Sequence, residues 1–322
     1  MNIIFDGNFL IHKCFSVFST YYRGQDMCEV LAKKENQQVF IRKCIIDLCA
    51  AVNKFTDVEK VVVTIDSSSW RYNLYADYKY SLTKVRDAYY PQFLDLIKQL
   101  ENLLRKRGLI VTRVSGAEGD DLMCIWSLFF DINDEPCVII TGDSDIRQLI
   151  TKNVSVFNNH SKMLTMYCLP GNEVFWNEYL DADIQVVPIE PWKILMQKVI
   201  LGDKSDNVPQ AKKGFGQKAF EKFIAQINKK FPKDKDLITT ATWIAQLFAD
   251  YMHEPYEEVL GKVLFNLKVT WLNVSVYNEI DYQTESGKSL LETMLDEIPT
   301  LKDTYTYNKE FTLEQFYGMM IK

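Results

Sequence analysis

Residues 61–66 read Val-Val-Val-Thr-Ile-Asp, a branched, largely apolar run closed by a carboxylate, and it is this closure that decides the fold. The same form occurs at 3–6 (IIFD) and at 138–143 (VIITGD), giving three strand-like segments that each end in aspartate. Branched residues favour strands. Between the first two, residues 39–55 carry apolar side chains at helical spacing (Phe40, Ile41, Cys44, Ile45, Leu48, Val52), and 93–104 repeats that pattern before a strand-like 109–114. Strands alternating with helices predict a parallel sheet flanked by helices. Ligands of such sheets sit outside the carboxyl ends of the strands, where Asp6, Asp66 and Asp143 would gather.

Beyond about residue 188 the alternation gives way to helical patterns at 192–201, 217–227 and 239–252, joined by lysine-rich connections. Two domains are therefore expected: an α/β domain over 1–187 and a smaller, mainly helical one over 188–322. The last stretch has mixed patterning, with 268–276 reading as strand-like and 281–288 as polar. With 322 residues and 47% hydrophobic content the chain can bury a substantial core. No basic leader and no apolar segment long enough for a bilayer is apparent, so a soluble, intracellular protein without a membrane partner is expected. The seven cysteines form no CxxC pair and most lie in apolar runs, which argues against disulfides and a zinc knuckle.

Nine carboxylates fall in five short motifs: Asp6 in FDGN, Asp66 in TID, Glu118, Asp120 and Asp121 in AEGDD, Asp143 and Asp145 in GDSD, and Asp203 and Asp206 in GDKSDN. Any one of them alone reads as a turn or a helix cap. Three strand-end aspartates with a DxD and an ExDD are harder to explain that way. Crowded carboxylates require neutralising cations, and oxygen donors without His or Cys point to Mg²⁺ or Mn²⁺. Asp143 and Asp145, two apart in extended chain, would project alike, while Glu118 and Asp121 would share a helical face. The formal charge of −6 argues at first sight against nucleic acid, but leaving out these nine carboxylates turns −6 into +3 for the remainder. An acidic site on a mildly basic body fits a metal-dependent nuclease. A haloacid-dehalogenase-like phosphatase would need a second acid where this chain has Asn8.

Taken in order, FDGN, TID followed by WR and YK, EGDD, GDSD, and GDKSDNVP with a later GFGQKA resemble the flap endonuclease and 5′-3′ exonuclease family, bacteriophage replication members in particular. The resemblance covers roughly the first two-thirds of the chain. It implies a PIN-like α/β domain with an acidic pocket, a helical arch (about 67–95), and a helix-hairpin-helix type DNA-binding segment (about 202–227). It further implies that Asp6, Asp66, Glu118, Asp120 and Asp143 hold a first metal ion. Asp145, Asp203 and Asp206, helped by Asp121, would serve a second. Two such ions can activate a water and stabilise the leaving 3′ oxygen.

Between Asp66 and Pro91 aromatic and basic residues interleave, among them Trp70, Arg71, Tyr72, Tyr75, Tyr78, Lys79, Tyr80, Lys84 and Arg86. Such a surface suits single-stranded nucleic acid, with bases stacking on rings and phosphates meeting cations. The same composition also fits an amphipathic surface helix. By resemblance this is the arch that admits a 5′ end: Lys79 would contact the scissile phosphate, and Arg71, Tyr78 and Lys84 would contact DNA. The family usually has Arg three residues after that Lys, where this chain has Leu82, so Arg86 or Lys84 is expected to substitute. Lys212, Lys213, Gly214, Gly216 and Lys218 open a helical pattern whose backbone N–H groups could meet a duplex phosphate. Family members can carry a monovalent ion in this hairpin.

The function these readings imply is a structure-specific 5′ nuclease that removes flaps or RNA primers in DNA replication. Its partners would be DNA with a 5′ flap, a nick or an RNA–DNA junction. The terminal 311–322, rich in aromatic and apolar residues, could dock on a sliding clamp or polymerase, or serve as a closing helix. A single-strand-binding protein is a further candidate partner. A monomer in the cytoplasm is expected, the host cytoplasm for a phage protein. Competing readings are a catalytically silent junction binder in a replisome and a PIN-type ribonuclease; the second needs neither the GFG segment nor an arch.

Overall fold

The computed structural model describes residues 1–79, 87–159, 164–180, 184–227, 231–232, 236–282 and 287–305, without the side chains of 299–305. The chain divides into two compact units that no single cut separates: Met1–Ser68, Val85–Ile189 and Glu292–Lys322 form the first, Ser69–Lys84 and Glu190–Leu291 the second.

The first unit is built on β1 (Asn2–Asp6), α1 (Gly7–Tyr21), α2 (Met27–Ala32), α3 (Lys34–Val52) and β2 (Lys60–Thr64). The second unit then takes the short α4 (Arg71–Leu74). The first resumes with α5 (Tyr90–Lys106), β3 (Ile110–Thr112), α6 (Gly119–Ile132), β4 (Cys137–Thr141), β5 (Val154–Asn158), β6 (Thr165–Cys168), α7 (Glu173–Asn177) and β7 (Gln185–Pro188). The strands form one sheet in the order β3-β2-β1-β4-β5-β6-β7. All pairs are parallel except β5 with β6.

Every residue of the central strands β1 and β4 is buried, as a sheet covered on both faces requires. Ile3, Phe5, Val138 and Ile140 join the cluster with Leu10, Phe40, Leu48, Phe93 and Leu100 from α1, α3 and α5. Helix α6 packs on β1, β2 and β4 and is buried along most of its length. The parallel register of β1 with β2 and β4 brings the carboxyl ends of all three strands to one edge.

The second unit continues with α8 (Pro191–Leu201), α9 (Gln217–Gln226), α10 (Leu237–Met252), α11 (Tyr256–Thr270) and α12 (Val274–Tyr277). Its core stacks rings edge to face, Phe215 on Phe248 at 5.0 Å and Phe223 on Phe248 at 5.4 Å. Helix α13 (Leu290–Tyr305) groups mostly with the first unit.

The strand expected at 268–276 does not form. Helix α11 runs through Thr270, and Asn273, whose side chain accepts the Ser275 N–H at 2.9 Å, caps the start of α12. The branched Val269, Thr270, Val274 and Val276 resemble a strand locally, but tertiary packing overrides that preference. Lys84, Arg86 and the terminal 311–322 lie outside the described residues. No helix among the described residues is long and apolar enough to cross a membrane.

Candidate metal centre and nucleic-acid interface

Each carboxylate at the sheet edge is fixed by a short turn. Asp6 ends β1 and caps α1: its Oδ1 accepts the Phe9 N–H at 2.9 Å, and its Oδ2 accepts the Thr141 hydroxyl at 2.6 Å. Gly7 is required there, because a Cβ would stand 2.6 Å from the Thr64 carbonyl. Asp66 lies two residues past β2, its N–H donating to Asn8 Oδ1 at 3.1 Å and its Oδ1 accepting the Gly119 N–H at 2.6 Å. A Cβ on Gly119 would sit 2.9 Å from that same Oδ1, so a larger residue there would displace the Asp66 carboxylate.

Glu118 is the N-cap residue of α6 and is buried, and Asp120 follows in the first turn. Past β4 the Thr141 oxygen accepts the Asp143 N–H at 3.0 Å. One hydroxyl therefore ties Asp6 to Asp143.

Electrostatics join these groups into one cluster. The Asp6 carboxyl is raised to about 6, chiefly by burial and then by the charges of Asp66 and Asp143, with hydrogen bonds from Phe9 and Thr141 offsetting part of the rise. Asp120 is held well above the usual carboxylate range, first by burial and then by the charges of Asp143, Asp6, Asp66 and Glu118. Helix N-termini offset such repulsion only partly. The oxygen-only donors and this mutual repulsion fit a hard divalent cation.

The close ring of direct ligands expected around a first ion is not formed: among the described residues no three His, Cys, Asp or Glu side chains stand close enough to hold one. Mg²⁺ keeps several waters and takes only one or two carboxylates directly, so a looser acidic set still suits it.

Several other expectations change. Asp143 and Asp145 are not in extended chain: Asp145 opens a 3₁₀ helix (Asp145–Leu149), and its N–H donates to Asp143 Oδ1 at 2.8 Å. Asp121 is fully buried, and its Oδ2 accepts the Glu118 N–H at 3.0 Å, so this carboxylate caps α6 instead of facing an ion.

In the second unit Asp203 and Asp206 lie on a loop closed by paired backbone bonds between Asp203 and Val208, at 2.9 and 2.7 Å. Gly202, at φ +69°, begins it, where a Cβ would meet the Val208 carbonyl at 2.4 Å. Asp203 is buried and ion-paired to Lys198, and its Oδ1 accepts the Ser205 N–H at 2.8 Å. Burial pushes its carboxyl up, but the Lys198 and Ser205 hydrogen bonds outweigh this and hold it below the usual value. Asp206 accepts the Tyr78 hydroxyl at 3.4 Å.

Arg71 and Tyr78, expected to touch DNA, are each 2% exposed. Arg71 Nε donates to the Val269 carbonyl at 2.8 Å, and its guanidinium lies 4.6 Å from the Trp70 ring. These side chains build the unit. Lys79 is half-buried, with its ammonium 5.0 Å from the Tyr78 ring.

Lys212 is ion-paired with Glu254, whereas Lys213, Gly214, Gly216 and Lys218 are exposed. Gly214, at φ +83°, and Gly216 have open space where a Cβ would project. The Gly214 N–H does not await a phosphate, since it already donates to Gln210 Oε1 at 3.0 Å.

Asn8 and Thr141 went unassigned in the sequence as positioning residues. Their signal lay in placement: Asn8 two residues after Asp6, and Thr141 two before Asp143.

An aspartate-lined edge of a parallel sheet with a helix N-terminus beside it places the chain in the class of α/β proteins with an acidic site at the carboxyl ends of their strands. Residues 1–174 match the model of the 5′-3′ exonuclease N-terminal, resolvase-like domain, and the chain belongs to that family. A 5′-3′ exonuclease of Buchnera aphidicola from Acyrthosiphon pisum is 25% identical over 158 residues, spanning 48% of this chain and 49% of that protein. The chain thus spans about half the length of that relative. A 5′-3′ exonuclease of Mycoplasmopsis pulmonis is 24% identical over 318 residues, 98% of this chain and 93% of that protein. In fold, a bacteriophage T5 flap endonuclease solved as a pseudo-enzyme-product complex with DNA and metal ions matches with a TM-score of 0.61 at 15% identity, covering 95% of this chain and 99% of that one.

Proposed function

We propose that this protein is a divalent-metal-dependent 5′ nuclease that hydrolyses phosphodiester bonds in branched DNA or RNA–DNA, removing flaps or primers during replication. The observation that carries this reading is the acidic set Asp6, Asp66, Glu118, Asp120 and Asp143 at one sheet edge, where burial and the neighbouring charges raise the affinity of Asp6 and Asp120 for protons. What attracts a proton there also attracts a cation. Mg²⁺ is the ion such oxygen donors suit, with Mn²⁺ as a substitute. When bound, it would supply a polarised water and a counter-charge to the leaving oxygen.

The residues around it have separable tasks. Thr141 holds Asp6 and Asp143 in register, Asn8 and Gly119 hold Asp66, and Asp121 holds Glu118. Lys79 would neutralise charge on the scissile phosphate and Asp206 would serve a second ion; these roles rest on the motif resemblance. The exposed Lys213 and Lys218 beside Gly214 and Gly216 would take the duplex backbone through charge, independent of sequence. A monomer acting on the DNA junction is sufficient for this chemistry.

The test is incubation of the protein with 5′-labelled flap DNA, with and without Mg²⁺, beside an Asp143→Asn variant. Mg²⁺-dependent release of the flap, lost in the variant, is the expected result. Cutting in a chelator, or full activity of the variant, overturns the mechanism. Tight Mg²⁺-dependent binding without cutting would make the protein a silent junction binder.

A further inference from the structure

Lys79 stands on an unusually determined piece of backbone. Its φ is +51°, and Asn207, more than a hundred residues later, has φ +61°. Left-handed conformations are unfavourable for most non-glycine residues and persist where surrounding bonds enforce them. Those bonds are present. The Lys79 N–H donates to the Asp206 carbonyl at 3.1 Å, the Tyr75 hydroxyl donates to the Asn207 carbonyl at 3.0 Å, and Asn207 Nδ2 donates to the Asp77 carbonyl at 3.0 Å.

Both partners are also fastened to the same end of α11. Arg71 Nε reaches the Val269 carbonyl at 2.8 Å, and the Tyr75 ring meets Phe265 edge-on at 5.2 Å. From the other side the buried Asn266 amide donates to the carbonyls of Val199 at 2.7 Å and Pro209 at 2.8 Å, gripping both flanks of the loop that carries Asp203 and Asp206. Tyr78, Val208 and Val269 close a small apolar cluster beneath.

We propose that Asn207 is a positioning residue for Lys79, holding it and the Asp206 loop as one preset piece. This deepens the reading of Lys79 as the phosphate-contacting cation and rests on it. The amide of Asn207 fixes the Asp77 carbonyl, and its left-handed backbone turns the Asp206 carbonyl to the Lys79 N–H. The ammonium is thereby presented from the same rigid body as the Asp206 carboxylate. Asn207 itself touches neither substrate nor ion.

The test uses Asn207→Gly, which accepts the positive φ and removes the side chain with its amide, alone and combined with Lys79→Ala. With flap DNA and saturating Mg²⁺, Asn207→Gly is expected to lower kcat about tenfold with little change in KM, the loss typical of a slightly misplaced group. In the Lys79→Ala background it should lower kcat no further. Fully additive losses would overturn the assignment. If Lys79→Ala cuts as fast as wild type, the role of Lys79 itself fails and the assignment with it.

Amide hydrogen exchange provides a readout that needs no cleavage. Asn207→Gly should speed exchange at Lys79 and leave α10 and α11 as protected as in wild type. Unchanged exchange at Lys79, or loosening throughout the unit, would make Asn207 an ordinary loop residue.

Discussion

Asp6 and Asp203 are both hidden from solvent, at 7% and 8% exposure, with Asp6 the more deeply surrounded by protein, and their carboxyls shift in opposite directions. Asp203 has Lys198 and Ser205 to compensate its burial. Asp6 has a backbone N–H and the Thr141 hydroxyl on one side and the charges of Asp66 and Asp143 on the other. Burial alone therefore does not mark a reactive carboxylate. What marks it is burial among like charges, because that arrangement is unfavourable unless a cation completes it. The Asp203 carboxylate is compensated by Lys198 and Ser205, and the Asp6 cluster is one that a cation would finish.

The sharpest way to break this contrast is to neutralise one member of each set. Asp120→Asn should reduce cleavage by about 10²–10³-fold or more, on the scale of losing a preorganised electrostatic group, while leaving the metal-free protein as stable as before or more so. Single-turnover kinetics and thermal unfolding in chelator would check both halves. In the second unit, Lys198→Met should leave Asp203 charged, buried and unpaired, lowering unfolding stability by roughly 3 kcal/mol in denaturant titrations.

A pH series separates the two regions without mutation. The folded pKa of Asp6, about 6, lies above its ordinary 3.8, so the native state takes up its proton first as pH falls. The cluster's contribution thus stabilises the metal-free protein at low pH and is lost as pH rises through about 6, by roughly 3 kcal/mol for Asp6. Asp203, with a depressed pKa, acts in the opposite sense: its contribution is present at neutral pH and lost in strong acid. Added Mg²⁺ should stabilise chiefly above pH 6, since protons and metal compete for the same oxygens. Urea midpoints from pH 4.5 to 8, with and without metal, read this directly. The smallest expected effect belongs to Thr141→Val, which keeps shape but removes the hydroxyl shared by Asp6 and Asp143. It should weaken Mn²⁺ binding about 10–100-fold, and Thr141→Ser should restore it.

The sheet was legible because its signal is local. Ile3 to Ile4, Val61 to Val63 and Val138 to Ile140 are branched runs, and the aspartates that follow them lie where parallel strands end. The acidic cluster could be read for the same reason. What escaped depends on distant partners. Arg71 looked like a cation for DNA, but its fate is set by Val269, 198 residues away. Lys212 is likewise claimed by Glu254. Asp121 and Asp145 looked equivalent to their neighbours, yet one caps a helix and the other starts a 3₁₀ turn. Carboxylates serve turns and metals with the same atoms, and spacing alone does not separate the two uses.

The central claim is that the Asp6, Asp66, Glu118, Asp120 and Asp143 cluster binds the divalent ion that drives hydrolysis. Calorimetric titration of the metal-free protein with Mn²⁺, beside Asp120→Asn, tests it most directly. The expected result is saturable binding in the wild type that weakens at least tenfold in the variant, in step with lost flap cleavage. Equal Mn²⁺ affinity in both proteins, or undiminished cleavage by the variant, would contradict it.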